Sequence, residues 1–137
     1  MPTKSERFDD AIVEAARNAK IVGVRAGSQH RYTGVWVVVV DARLFVRSWN
    51  NKSTGWFRAF RNQPTGMLQL ATLEIPVRGK PVRSSRIRDD VSKAFGEKYS
   101  TKASQKWVKG FAEPERLVNT LEFVPRNYAA RLKDKVG

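Results

Sequence analysis

Apolar positions along the chain change period several times, and each change marks an element. Phe8, Ile12, Ala15, Ala16 and Ala19 recur at helical spacing and predict an amphipathic helix within residues 1–20. Thr3 is its expected N-cap, with Glu6 three residues on completing a capping box. IVGVRAG (21–27) reads as a first strand. RYTGVWVVVV (31–40) is apolar at both parities, the pattern of a strand buried on two faces. Asp41-Ala42 makes a tight turn into RLFVRSW (43–49), its partner strand.

A polar loop, Asn50-Asn51-Lys52-Ser53, then leads into TGWFRAFRN (54–62). This is a short helix with Trp56, Phe57 and Phe60 clustered on one side, ended by Pro64 and Gly66. MLQLAT (67–72) and LEIPVRGKPV (73–82) read as a second hairpin, in which Pro76 points to an edge strand or a bulge. Ser84 or Ser85 caps a second long helix over 84–99, with Ile87, Val91, Ala94, Phe95 and Tyr99 on one face. Residues 100–110 read as a polar, basic connection carrying Trp107. Glu113-Pro114-Glu115 reads as a turn and RLVNTLEFVP (116–125) as the last strand. Residues 127–137 are polar, a tail expected to form a frayed helix. The whole is a single domain over 1–137 of α+β class: an antiparallel six-stranded split β-barrel with two long helices and one short helix.

Composition narrows the chemistry. There is no cysteine and one histidine, His30, in an expected turn, so thiolate catalysis, a disulfide, a catalytic triad and a His-based metal site are not expected. Asp9-Asp10 and Asp89-Asp90 sit in first turns of helices, where compensation of the dipole accounts for them. Neither GxGxxG nor GxxxxGK[ST] occurs. No catalytic residue is nominated. The N-terminus has no apolar stretch of signal-peptide type, and Val35 to Val40 is the longest apolar run, too short to span a bilayer. A soluble, cytoplasmic protein is expected. The net charge of +13 is spread evenly, 13 Lys/Arg against 6 Asp/Glu in residues 1–82 and 13 against 7 in 83–137. Such a charge attracts phosphates, anionic cofactors and nucleic acid alike.

The stretches TGVWVVVVDARLFVRSW, TGWFRAFRNQPTGMLQL and IPVRGKPV, with RIRDDVSKAFGEKYS and TLEFVPR further on, resemble the flavin-binding split-barrel superfamily. That superfamily includes the pyridoxamine-phosphate-oxidase-like proteins and the deazaflavin-dependent nitroreductases. Within it, the chain is most similar to a group of small uncharacterised proteins of unknown function. The resemblance implies a homodimer that holds flavin mononucleotide (FMN) or a deazaflavin in a cleft between subunits, used for hydride transfer. It implies phosphate ligands at Arg47, Ser48, Lys52 and Ser53, with Arg31 added, and it sets Trp56 and Arg58 where deazaflavin-binding relatives contact their cofactor. The Ser-Arg-Lys phosphate loop of the oxidases is only echoed by Lys52-Ser53. Ala59 stands where nitroreductase-like relatives carry asparagine. Two other readings stay open: a basic nucleic-acid-binding barrel, with Arg and Lys interleaved among Trp and Phe, and a split barrel with no cofactor.

Overall fold

A computed structural model describes residues 7–28 and 31–126. The Thr3–Glu6 capping box, His30 and the tail from residue 127 lie outside the described residues. Helix α1 (Asp10–Asn18) starts later than the periodicity implied, because Asp9 is already extended at φ −59° and ψ 150°. Phe8, one residue earlier, is buried against the core and anchors this entry. There follow β1 (Val22–Ala26), β2 (Thr33–Val35), β3 (Val38–Val40), β4 (Arg43–Arg47) and α2 (Trp56–Asn62). Then come β5 (Thr65–Leu70), β6 (Leu73–Pro81) and α3 (Ser85–Lys98). A 3-10 turn (Lys102–Ser104), α4 (Gln105–Phe111), α5 (Pro114–Leu117) and β7 (Thr120–Pro125) complete the order.

All pairings are antiparallel, in the order β2-β1-β5-β6-β7-β4-β3. The two edge strands are consecutive pieces of one stretch, separated only by Trp36 and Val37. Three Cα steps cover about 10 Å, so the edges meet and the sheet closes on itself. Six runs of chain therefore give seven strands: the stretch 31–40 pairs with β1 through its first half and with β4 through its second. The result is a split barrel of α+β class.

The expected two-sided burial follows from this closure. Val35, Val37, Leu44 and Val46 join the barrel interior with Val24, Leu68, Ile75 and Phe123, closed at one end by Phe57 and Phe60 of α2. Val38 and Phe45 face outward into a second core against Val91 and Phe95 of α3 and Tyr99, its C-cap. Asp41 and Ala42 both take positive φ, 53° and 61°, the turn that matches the twist of a two-residue hairpin. Ser84 caps α3, its hydroxyl accepting from Ile87 N at 3.2 Å.

Four expectations need correction. Residues 114–117 form α5, so the last strand begins at Thr120 and not at 116. The first turn of α3 carries no acidic residue, so Asp89 and Asp90 lie beyond it. Pro76 lies in β6, an interior strand between β5 and β7, and not at an edge. Its backbone oxygen accepts from Arg126 N at 3.1 Å, and its nitrogen faces the same side, just past the last β6–β7 pair, Val77–Pro125. The missing N–H therefore falls at the end of the β6–β7 ladder, beyond its last pair. Residues 100–110 are not a plain connection: the 3-10 turn, capped by Thr101, feeds directly into α4.

Candidate functional site

The site grows out of the break between β2 and β3. Where the chain passes from one sheet edge to the other, Val37 has no strand partner, and its peptide groups need others. The Tyr99 hydroxyl accepts from Val37 N at 3.2 Å and donates to Lys20 O at 2.6 Å. Lys98 Nζ donates to Val37 O at 2.7 Å and to Ala16 O at 3.0 Å. Burial pushes the Lys98 ammonium down to about 8. Burial also pushes the Tyr99 phenol up to about 12, against a smaller opposing effect of its bond with Val37. With the backbone held, Trp36 stacks flat on the Tyr99 ring, centroids 3.9 Å apart and planes 3° apart.

Trp36 is one wall of a cavity of about 390 Å³ whose lining is mostly apolar. Trp49, Trp56, Trp107, Phe111, Ile21, Gly34, Val35 and Arg47 form the rest. All four tryptophans of the sequence thus meet at one place. Trp49 follows β4, Trp56 opens α2, and α4 brings Trp107 and Phe111. Trp49 meets Trp107 edge-on at 5.2 Å and Phe111 at 5.6 Å. The guanidinium of Arg116 covers the other side of the Trp49 ring at 3.6 Å. Its Nε donates to Trp49 O at 2.9 Å and its Nη1 to Gly110 O at 3.1 Å. One arginine thereby fixes the tryptophan to the end of α4.

Arg47 is the charged member of the wall, and it is 2% exposed. Its Nε donates to Thr120 Oγ1 at 2.7 Å. Nη1 donates to Ser92 Oγ at 2.8 Å and to Phe111 O at 3.0 Å, and Nη2 to Arg88 O at 2.9 Å. No carboxylate bonds to it among the described residues. Burial, and then repulsion from Arg88, bring its pKa down to about 10, with Asp89 pulling weakly the other way. Arg47 therefore ties β4 to β7, α3 and α4 and leaves a positive charge under the cavity.

The other residues singled out in the sequence fall in three places. Arg31 is exposed and lines a smaller cavity of about 210 Å³ that shares Trp56 with the aromatic one. Ser48 is buried, its hydroxyl donating to Asn50 O at 2.5 Å, so it braces the following loop. Lys52 and Ser53 are exposed on that loop, and Lys52 N donates to Asn50 Oδ1 at 3.1 Å. Arg58 is exposed, its Nε donating to Asn51 Oδ1 at 3.0 Å. The fold thus brings Arg47 and Trp56 to the aromatic cavity and Arg31 and Trp56 to the smaller one. Lys52, Ser53 and Arg58 stay on the loop and helix beside them. Trp36, Trp107, Phe111 and Arg116 were not singled out as site residues. Their sequence separations hide the cluster, and the scarcity of tryptophan was the one signal that linked them.

A larger cavity, about 630 Å³, lies between α1, β3 and α3 and is open and charged with both signs. Arg17, Arg86, Lys93 and Lys98 there face Asp41, Asp90 and Glu97, and no aromatic residue joins them. The aromatic cavity is the better candidate, because walls of one chemistry select a ligand. Among the described residues, no helix is long and apolar enough to cross a membrane.

Residues 11–123 match the model of a protein family described as an uncharacterised protein conserved in bacteria (DUF2255). No curated protein matches the sequence. Among solved structures, the chain is similar to the conserved hypothetical protein Rv2991 from Mycobacterium tuberculosis. That likeness has 12% identity and a TM-score of 0.56, and covers 93% of this chain and 86% of that one. A putative pyridoxamine 5'-phosphate oxidase from Listeria innocua is similar at 11% identity and a TM-score of 0.55, over 87% of this chain and 92% of that one. These likenesses show the fold, a split barrel of the pyridoxamine-phosphate-oxidase-like kind.

Proposed function

The chain belongs to the DUF2255 family of proteins conserved in bacteria, and on that premise we propose that it binds FMN or a deazaflavin, with the cofactor ring in the tryptophan-lined cavity. The observation that carries this reading is the meeting of all four tryptophans around one cavity. A flat, polarisable ring gains dispersion from indole faces and edges, and the same walls exclude water. The donor set fits as well. Arg47 Nη2 carries two hydrogens, and Arg88 O takes one of them. A ring oxygen or nitrogen is a suitable acceptor for the other.

Arg47 and Trp56 are the residues we assign to the ring. Ser48 holds the loop, and Arg31, Lys52, Ser53 and Arg58 supply the positive field that draws in a phosphate or the acidic tail of a deazaflavin. When bound, such a ring supplies hydride-transfer chemistry, and the chain supplies position and electrostatics. Ile21 and Trp107, on the rim of the cavity, are 51% and 46% exposed. Their exposure supports a homodimer in which a second copy covers the rim, as light scattering of the purified protein would show.

Tryptophan emission gives a direct test, since every emitter lines the cavity. Titration with FMN, or with a deazaflavin, should quench most of the intrinsic fluorescence. Trp56→Ala and Trp36→Ala should each weaken binding about tenfold. Unchanged emission and absorbance with both cofactors at roughly 100 μM would end this reading. Single-stranded nucleic acid is a second reading, favoured by exposed Trp107 with Lys106 Nζ 5.1 Å from its ring centroid. Oligonucleotide binding that falls steeply with salt, without uptake of either cofactor, would select it.

A further inference from the structure

The smaller cavity has a chemistry of its own. Arg25, Arg31, Thr33 and Thr54 line it, together with the backbone of Gly55 and the indole of Trp56, and its lining contains no carboxylate. We propose that it is a phosphate subsite, in which these two arginines and two threonines hold the phosphate of a ligand whose ring lies beyond Trp56. That a phosphate binds stands by itself; that it belongs to a flavin rests on the reading above.

The contrast with Arg47 is what points here. Arg47 has committed four of its five donors to the chain, whereas the two arginines of this cavity have not. Arg31 is exposed and forms no ion pair among the described residues. Arg25 Nη2 stands 3.7 Å from Glu74 Oε1, longer than a charge-assisted hydrogen bond, and Glu74 Oε1 already accepts from the Tyr32 hydroxyl at 2.6 Å. Arg25 Nε is buried and has no acceptor among the described residues. A donor left in that condition costs about 1–3 kcal/mol. A small movement of the side chain toward an oxyanion in the cavity removes the cost. The Tyr32 ring, 4.4 Å beneath the guanidinium, provides a surface along which the fork keeps its plane as it moves. The threonine hydroxyls add neutral donors for the remaining oxygens. Because Trp56 lines both cavities, ring and phosphate are separated by the width of one side chain. That is the layout of a flat heterocycle joined to a phosphate by a short flexible chain.

Inorganic phosphate is the first probe, followed by nitrogen-15 NMR of the arginine Nε–H and tryptophan indole signals. Phosphate should shift Arg25 and Trp56 saturably and leave Arg61, an exposed arginine outside both cavities, unmoved. Arg25→Gln and Arg31→Gln should each weaken phosphate about tenfold, while Arg61→Gln should not. Arg31 is exposed, so its variant reports on binding even if Arg25→Gln folds poorly. No saturable shift at roughly tens of millimolar, or equal weakening by Arg61→Gln, overturns the subsite. FMN and riboflavin share a ring and differ by the phosphate. Both arginine variants should weaken FMN by the same factor and leave riboflavin unchanged. Equal affinity for the two flavins would sink the flavin source of the phosphate. Failure of both to bind would sink the ring assignment, with the phosphate shifts still deciding the subsite.

Discussion

Gly110 of α4 lies so close under the indole of Trp49 that no side chain fits between them. A Cβ built on Gly110 overlaps Trp49 Cη2 and comes 2.6 Å from Cζ3. Trp49 cannot simply move aside, because Arg116 covers it and Trp107 and Phe111 flank it. The glycine is therefore what lets α4 seat the aromatic cavity against the end of β4.

Gly110→Ala should accordingly push Trp49 out of place and distort the cavity. Alanine favours the helix by about 1 kcal/mol, but overpacking against a held ring costs about 1–3 kcal/mol. A net loss of stability in urea unfolding is expected, together with a red shift of tryptophan emission. A more stable variant with unchanged emission would show that the ring is free to move.

Arg47 gives the second prediction. Its four bonds join β4 to β7, α3 and α4, and the site is dry. Arg47→Lys keeps the charge and loses the fork, leaving acceptors on Ser92, Phe111 and Arg88 unpaired. A loss of about 3 kcal/mol is expected from urea unfolding. A loss below about 1 kcal/mol would indicate a surface anion ligand with no structural role.

The hairpin turn gives the third. Ala42 sits at φ 61°, where an L-residue pays about 1–2 kcal/mol and glycine does not. Ala42→Gly should stabilise the protein by about 0.5–1 kcal/mol, after allowing for the more flexible unfolded chain. Its thermal midpoint should rise while flavin binding stays unchanged, since the turn lies outside both cavities. A lower midpoint would rule out strain at this position.

What was legible in the sequence depended on how locally each feature is determined. The pairing of 31–40 with 43–49 is local, and an apolar pattern at both parities announced its two cores. The interruption at Trp36-Val37 was not legible, because the run is apolar throughout. Barrel closure sets the break, and groups about sixty residues downstream satisfy it, Lys98 and Tyr99. α4 was missed because Trp107, Val108 and Phe111 are its only large apolar residues, and they face a cavity and α3 rather than a deep core. Arg47 and Trp56 stood out beside the hairpin, and the resemblance singled them out. The partners that decide their roles come from α3, α4 and β7, which no local window connects.

Lys98 gives the fourth prediction, and it concerns pH. The ammonium is held down to about 8 by burial, from an ordinary value of 10.5. Below pH 8 the lysine is charged in both states, and the folded state bears the full desolvation cost. Between pH 8 and 10.5 the unfolded chain binds more protons than the folded one, so stability rises with pH across that window. Tyr99 acts in the opposite sense: with its phenol held up at about 12, it begins to reduce stability only above pH 10, where the unfolded tyrosine ionises first. The range from pH 8 to 10 therefore isolates the lysine. The side chain is partly open to solvent, and screening reduces the gain to about 1 kcal/mol. Neutral Lys98 still donates to Val37 O and Ala16 O, so the strand break stays closed while the charge is lost. Urea unfolding at intervals from pH 7.5 to 10 should show this rise in the wild type. Lys98→Met keeps the apolar stem without a titrating group, and should be less stable near pH 8 with no rise. A wild-type profile that is flat or falling over pH 8–10 would mean that the ammonium is well solvated in the folded state.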